Sequence, residues 1–133
     1  MKVLDATFLI DYLDGIEATK AFYEASGAED ERWVMPVPAY AEALVGEGNV
    51  PNGDVAGARA DLSWGETYAV DERTAATAGE IADEVAPEGP YLDGLDGLIA
   101  AVGRELDAPV VSNDGDLTHD ETQKAVDVEE YRE

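Results

Sequence analysis

The sequence predicts an α/β fold built on a parallel sheet, and three observations predict it. Short apolar runs recur along the chain, at Lys2–Leu4, Trp33–Met35, Thr67–Val70, Pro109–Val111 and Ala125–Val128. Segments of helical periodicity stand between them. The sharpest is Leu95–Leu106, where Leu95, Leu98, Ile99, Val102 and Leu106 fall on one stripe. Strand alternating with helix implies a parallel sheet covered by helices, and such sheets bind ligands beyond the carboxyl ends of their strands.

The elements follow in order. Lys2–Leu4 reads as a buried strand, and a helix over Thr7–Leu13 follows with Thr7 as its cap. A second helix spans Ile16–Ala25 after Gly15, with Asp11 and Asp14 facing solvent. The strand Trp33–Met35 closes at Pro36, and Pro38 suits the first turn of a helix over Pro38–Val45. Asn49–Gly53 is a turn, Asp54–Leu62 a further helix, and Asp71 caps a helix over Glu72–Val85 that stops before Pro87. Asp93 caps the Leu95–Leu106 helix. Trp33, Trp64, Tyr40 and Tyr91 read as packing residues, although Tyr40 and Tyr91 flank the acidic positions below closely enough to stack on a base.

Composition narrows the class. A chain of 133 residues with 45% hydrophobic residues predicts one domain, 1–133, with no repeat or linker. Eight basic residues against 31 acidic ones leave a net charge of −23. The acids are scattered and form no tail, which fits a folded protein soluble in molar salt, as in salt-loving organisms. There are no cysteines, so disulfides and thiolate metal sites are excluded. No signal peptide or run of ~20 apolar residues is visible, which predicts a cytoplasmic protein with no membrane partner. A nucleic-acid substrate is compatible with this charge, because molar salt shrinks the screening length to ~3 Å. A basic groove cannot then supply the grip, but a metal ion can.

Four acids from separate segments converge on the predicted functional edge. Asp5 follows the first strand, and Asp114 follows the strand Pro109–Val111 through Ser112 and Asn113. Asp96 lies beside the apolar stripe of its helix, at the border of the core, and Glu42 sits among small residues in PAYAEALVG. Carboxylates crowded together repel unless a cation lies between them. Oxygen-only ligands favour Mg²⁺ or Mn²⁺. NDGDLTHDET fails as a calcium loop, because His119 stands where a glycine is needed and Ala125 where a glutamate is. His119, the only histidine, is expected in solvent and not as a general base.

LDATFLIDYL, PAYAEAL, LDGLDGLIAA and VVSNDGDL together resemble the four motifs of PIN-domain ribonucleases, in particular the VapC-type toxins of toxin–antitoxin pairs. The resemblance spans nearly the whole chain, in order and at similar spacing. It implies a three-layer α/β/α sandwich with a central parallel sheet. It also implies a metal-dependent endoribonuclease whose ligands are Asp5, Glu42, Asp96 and Asp114, with Asp116 a further candidate. Thr7, Ser112, Asn113 and Asp93 would support them. The implied partners are structured RNA such as tRNA, a small antitoxin and a second copy of the chain. The sequence departs from the pattern at Gly97 and Leu117, neither of which is a ligand position. Other readings are an RNA-processing or quality-control nuclease, and a PIN-like domain that binds RNA or protein without cutting. A phosphoryl-accepting receiver domain fits poorly, since no lysine follows Val111.

Overall fold

The computed structural model describes residues 1–132. Five strands form one sheet in the order β3-β2-β1-β4-β5, and every pairing is parallel. The strands are β1 (Lys2–Leu4), β2 (Trp33–Pro36), β3 (Glu66–Tyr68), β4 (Val110–Ser112) and β5 (Val128–Glu130). The helices are α1 (Ala6–Leu13), α2 (Glu17–Ala25), α3 (Val37–Asn49), α4 (Val55–Asp61), α5 (Glu72–Val85), α6 (Gly94–Leu106) and α7 (Asp120–Ala125). This is the expected three-layer α/β/α sandwich.

The three central strands are apolar because helices cover them. Val3, Leu4, Val34, Met35, Val110 and Val111 are at most 2% exposed, and Phe8, Leu9, Ile99 and Val102 pack with them. Successive strands run outward from β1 through β2 to β3, and the chain then returns to the far side of β1 for β4 and β5. The order therefore reverses between β1 and β4, the place where open α/β sheets leave a ligand crevice.

Several boundaries differ from expectation, each for a local reason. Asp5, not Thr7, caps α1: its side chain accepts from the Phe8 amide. α3 runs four residues further than predicted, through Gly46 and Gly48, because no proline intervenes before Pro51 and Val50 adopts the extended conformation that precedes a proline. The turn is correspondingly tighter, closed by the Gly53 amide on the Val50 carbonyl. β3 starts at Glu66 and ends at Tyr68, because its partner β2 stops at Pro36 and leaves residues 69–70 nothing to pair with. β5 is Val128–Glu130 instead of Ala125–Val128. Its register is set by Val110 opposite Val128, while Ala125 closes α7. α7 was not expected. His119 is exposed, as predicted, but it caps this helix through Nδ1, which accepts from the Glu121 amide at 3.0 Å.

Asp11 does not simply face solvent. It accepts from the Tyr131 hydroxyl at 2.6 Å and from Arg132 at 3.0 Å, which ties the end of the chain to α1. Trp33 and Trp64 do pack as expected, edge-on to one another with Tyr12, Tyr23 and Phe22 around them. Tyr40 packs against the core, but Tyr91 is 89% exposed.

Candidate metal centre

The site is assembled where β1 and β4 end side by side. Leu4 lies opposite Val111, so the residues that follow them, Asp5 and the segment 112–114, meet beyond the sheet. Asp5 is only 1% exposed, and three donors hold its carboxylate. Oδ1 accepts from the Thr7 hydroxyl at 2.6 Å and from the Phe8 amide at 3.1 Å. Oδ2 accepts from the Ser112 hydroxyl. Each hydroxyl is used twice: Thr7 Oγ1 also accepts from the Asn113 amide at 3.1 Å, and Ser112 Oγ from the Asp114 amide at 2.9 Å. Thr7 and Ser112, through the amides of Asn113 and Asp114, thus lock the first acid to the loop that carries the next ones.

That loop is a tight turn. Asp114 Oδ1 accepts from the amides of Asp116 at 2.8 Å and Leu117 at 3.2 Å, and buried Leu117 anchors the turn in the core. The same folding-back brings the Asp116 side chain beside that of Asp114. From the opposite side, α6 delivers Asp96. Asp93 caps that helix, as predicted, accepting from the Asp96 amide at 2.8 Å.

Asp96, Asp114 and Asp116 each offer a carboxylate oxygen, and these oxygens all lie within 4.8 Å of one another. Burial, followed by the charges of Asp114, Asp93, Asp5 and Asp116, pushes the Asp96 carboxyl up from 3.8 to about 7. Asp5 is also raised, chiefly by burial and further by Asp114, although its hydrogen bonds oppose the shift. No ion pair among the described residues involves these acids. Lys2, the basic residue nearest to them in sequence, is turned to Glu129 at 2.5 Å.

Hard carboxylate oxygens at this spacing, with no cation paired to them among the described residues, fit a divalent metal bound through oxygen. Asp116, the further candidate from sequence, is inside the cluster. Asp5 touches it through charge and through Ser112. Glu42 is exposed on α3 and is not drawn into the cluster. That Ser112 links two acids is not legible from local sequence, because its partner is 107 residues away.

Solved structures with the same fold include a toxin–antitoxin complex from Klebsiella pneumoniae, with a TM-score of 0.80, 17% identity, and coverage of 100% of this chain and 99% of that one. DNA-bound VapBC from Salmonella typhimurium has a TM-score of 0.78 and 19% identity, covering 98% of each chain. FitAcB from Neisseria gonorrhoeae has a TM-score of 0.77 and 22% identity, covering 96% of each. No curated protein matches the sequence. No helix among the described residues is long and apolar enough to cross a membrane. The family model of the PIN domain matches residues 2–122, and the chain belongs to that family.

Proposed function

We propose that the protein is a divalent-metal-dependent ribonuclease and the toxin of a VapBC-like toxin–antitoxin pair. The observation that carries the nuclease reading is the cluster of Asp96, Asp114 and Asp116 at the β1/β4 switch point of a PIN domain. The toxin reading is supported by the near-complete coverage, in both directions, of chains from toxin–antitoxin complexes.

In this reading Asp96, Asp114 and Asp116 hold Mg²⁺ or Mn²⁺, and Asp5 adds its charge from the buried end of β1. Bound there, the metal supplies an activated water and offsets charge on the scissile phosphate and leaving oxygen. The chain supplies the rest. Ser112 and Thr7 orient Asp5 and oppose the upward push of burial on its carboxyl, and the amides of Asp116 and Leu117 fix the Asp114 carboxylate. Asp93 holds the first turn of α6 so that Asp96 faces the loop. Glu42, on the neighbouring helix, is a further ligand only if its side chain swings inward when RNA binds. The proposed partners are structured RNA, a small antitoxin and a second copy of the chain. An antitoxin cation reaching the cluster would stand in for the metal.

Calorimetric titration with Mn²⁺ tests the reading. Saturable binding that weakens about tenfold or more in Asp114→Asn is expected. A protein that binds no divalent cation at neutral pH would overturn it.

A further inference from the structure

The last strand leads the chain back to the site, beyond the stretch that the family model matches. Val110 stands opposite Val128 and Ser112 opposite Glu130, so the residue after Glu130 emerges at the level of the 112–114 loop. That residue, Tyr131, is buried. Its ring packs edge-on to Phe8 of α1, with the centroids 4.9 Å apart. Phe8 is the residue whose amide donates to Asp5.

The polar end of Tyr131 is held as firmly as its ring. The hydroxyl donates to Asp11 Oδ2 at 2.6 Å, and Arg132 donates to the same oxygen at 3.0 Å. Asp11 stands one helical turn after Thr7, on the same face of α1. The hydroxyl is flanked by both side chains, since Thr7 faces it as Asp11 does. Burial, followed by the bond to Asp11, raises the Tyr131 hydroxyl well above its usual range, so it keeps its proton. Packing alone does not call for that hydroxyl, because a phenylalanine would fill the same space against Phe8.

The protons show what the hydroxyl does. A threonine has one hydroxyl proton to give. That of Thr7 goes to Asp5 Oδ1 at 2.6 Å, while its oxygen accepts from the Asn113 amide at 3.1 Å. Tyr131 gives its own proton to Asp11 and so brings no second donor to Thr7. It also fills the place where a water would stand. A water accepts as well as donates, and it would compete with Asp5 for the Thr7 proton. Arg132 on the far side of Asp11 keeps that carboxylate ionised and turned to Tyr131.

We infer that Tyr131 is a positioning residue for the metal centre: its hydroxyl, held by Asp11, keeps the Thr7 hydroxyl on Asp5 and water away from that bond. The inference rests on the nuclease reading for what the centre does, but not for the hydrogen-bonded chain itself. Tyr131 touches none of the candidate ligands and acts on Asp5 through Thr7. The end of the chain is then part of the site, and not only an edge of the sheet.

The test compares the parent protein in molar KCl with Tyr131→Phe, which keeps the ring against Phe8 and removes only the hydroxyl. Two quantities are read. One is Mn²⁺ affinity by calorimetry. The other is hydrogen exchange of the Phe8 and Asn113 amides in the metal-free protein, since these amides donate to Asp5 and to Thr7. Tyr131→Phe should weaken Mn²⁺ binding about tenfold, the lower end of what the loss of an outer-shell partner costs. It should also speed exchange at both amides. Asp11→Ala should act alike, whereas Asp11→Asn, which still accepts from Tyr131, should bind Mn²⁺ as the parent does. Gly103→Ala, destabilising but on the far end of α6, gives the exchange expected from a general loss of stability. Tyr131→Phe with the parent's Mn²⁺ affinity would overturn the inference, and so would exchange at the two amides no faster than in Gly103→Ala. Faster exchange in Tyr131→Phe, with a parent that binds no Mn²⁺, would remove the nuclease reading and leave the positioning of Asp5 in place.

Discussion

The hydroxyl of Ser112 donates to Oδ2 of Asp5, 107 residues earlier in the chain, and Ser112 Oγ in turn accepts from the Asp114 amide at 2.9 Å. One buried atom thereby couples the ends of two adjacent strands and two of the candidate ligands. Ser112→Ala removes a donor from a buried carboxylate and an acceptor from a backbone amide. A loss of about 1–3 kcal/mol in urea denaturation is expected. Affinity for Mn²⁺ should fall as well, because Asp5 then retains a proton to higher pH.

The metal-free protein should lose stability as pH rises. The Asp96 carboxyl titrates near 7 when folded and near 3.8 when unfolded, so between these values the folded state holds a proton that the unfolded state has released. The contribution of Asp96 is fully present below about pH 4, falls through the interval, and is lost above pH 7, with at most about 4 kcal/mol at stake. The raised Asp5 carboxyl acts in the same direction. Urea denaturation at a series of pH values checks this. Asp96→Asn should flatten the profile, and saturating Mn²⁺ should raise its neutral end.

Opposite effects on metal-free stability and metal affinity are expected at the cluster. Asp114→Asn or Asp116→Asn relieves repulsion among carboxylates within 4.8 Å of one another, so thermal stability without metal should rise or hold. Mn²⁺ binding should weaken by tenfold or more at about 1.4 kcal/mol per decade. Glu42→Gln, outside the cluster, should leave Mn²⁺ affinity in the absence of RNA unchanged. A calorimetric titration of each variant separates the two effects.

Salt should stabilise the fold. With a net charge of −23, self-repulsion is strong at low ionic strength. The screening length falls from about 10 Å at 0.1 M to about 3 Å at 1 M. Thermal denaturation should show a Tm that climbs steadily over this range of KCl.

Two glycine substitutions should diverge. A Cβ on Gly46, inside α3, meets nothing within 4 Å, so Gly46→Ala should stabilise by about 0.5–1 kcal/mol through helix propensity. A Cβ on Gly103 would come within 2.7 Å of Val110 Cγ2, a fully buried side chain on β4. Gly103→Ala should destabilise by about 1–3 kcal/mol. Paired denaturation curves decide both.

What could be read from the sequence is what local pattern determines. The apolar run ending in Asp5 marks β1 and its functional end. Asp96 stands beside the stripe of α6, where a carboxylate without a role is out of place, and Asp93 and Asp71 sit where caps belong. The misses depend on distant partners. β3 and β5 take their registers from β2 and β4, and their own residues are too exposed to fix where each strand begins and ends. α7 is six residues long, too short for periodicity, and its acidic first turn after His119 was the only signal. Asp11 finds Tyr131 across 120 residues. Tyr91 looked like a packing residue because exposure of an aromatic ring is a property of the assembled fold.

The most direct measurement is RNA cleavage by the purified protein in molar KCl, with Mn²⁺ or EDTA, beside Asp96→Asn. Cleavage that requires Mn²⁺ and is lost in the folded variant is predicted. Equal cleavage by Asp96→Asn, or cleavage that persists in EDTA, would contradict the assignment of this cluster as the catalytic centre.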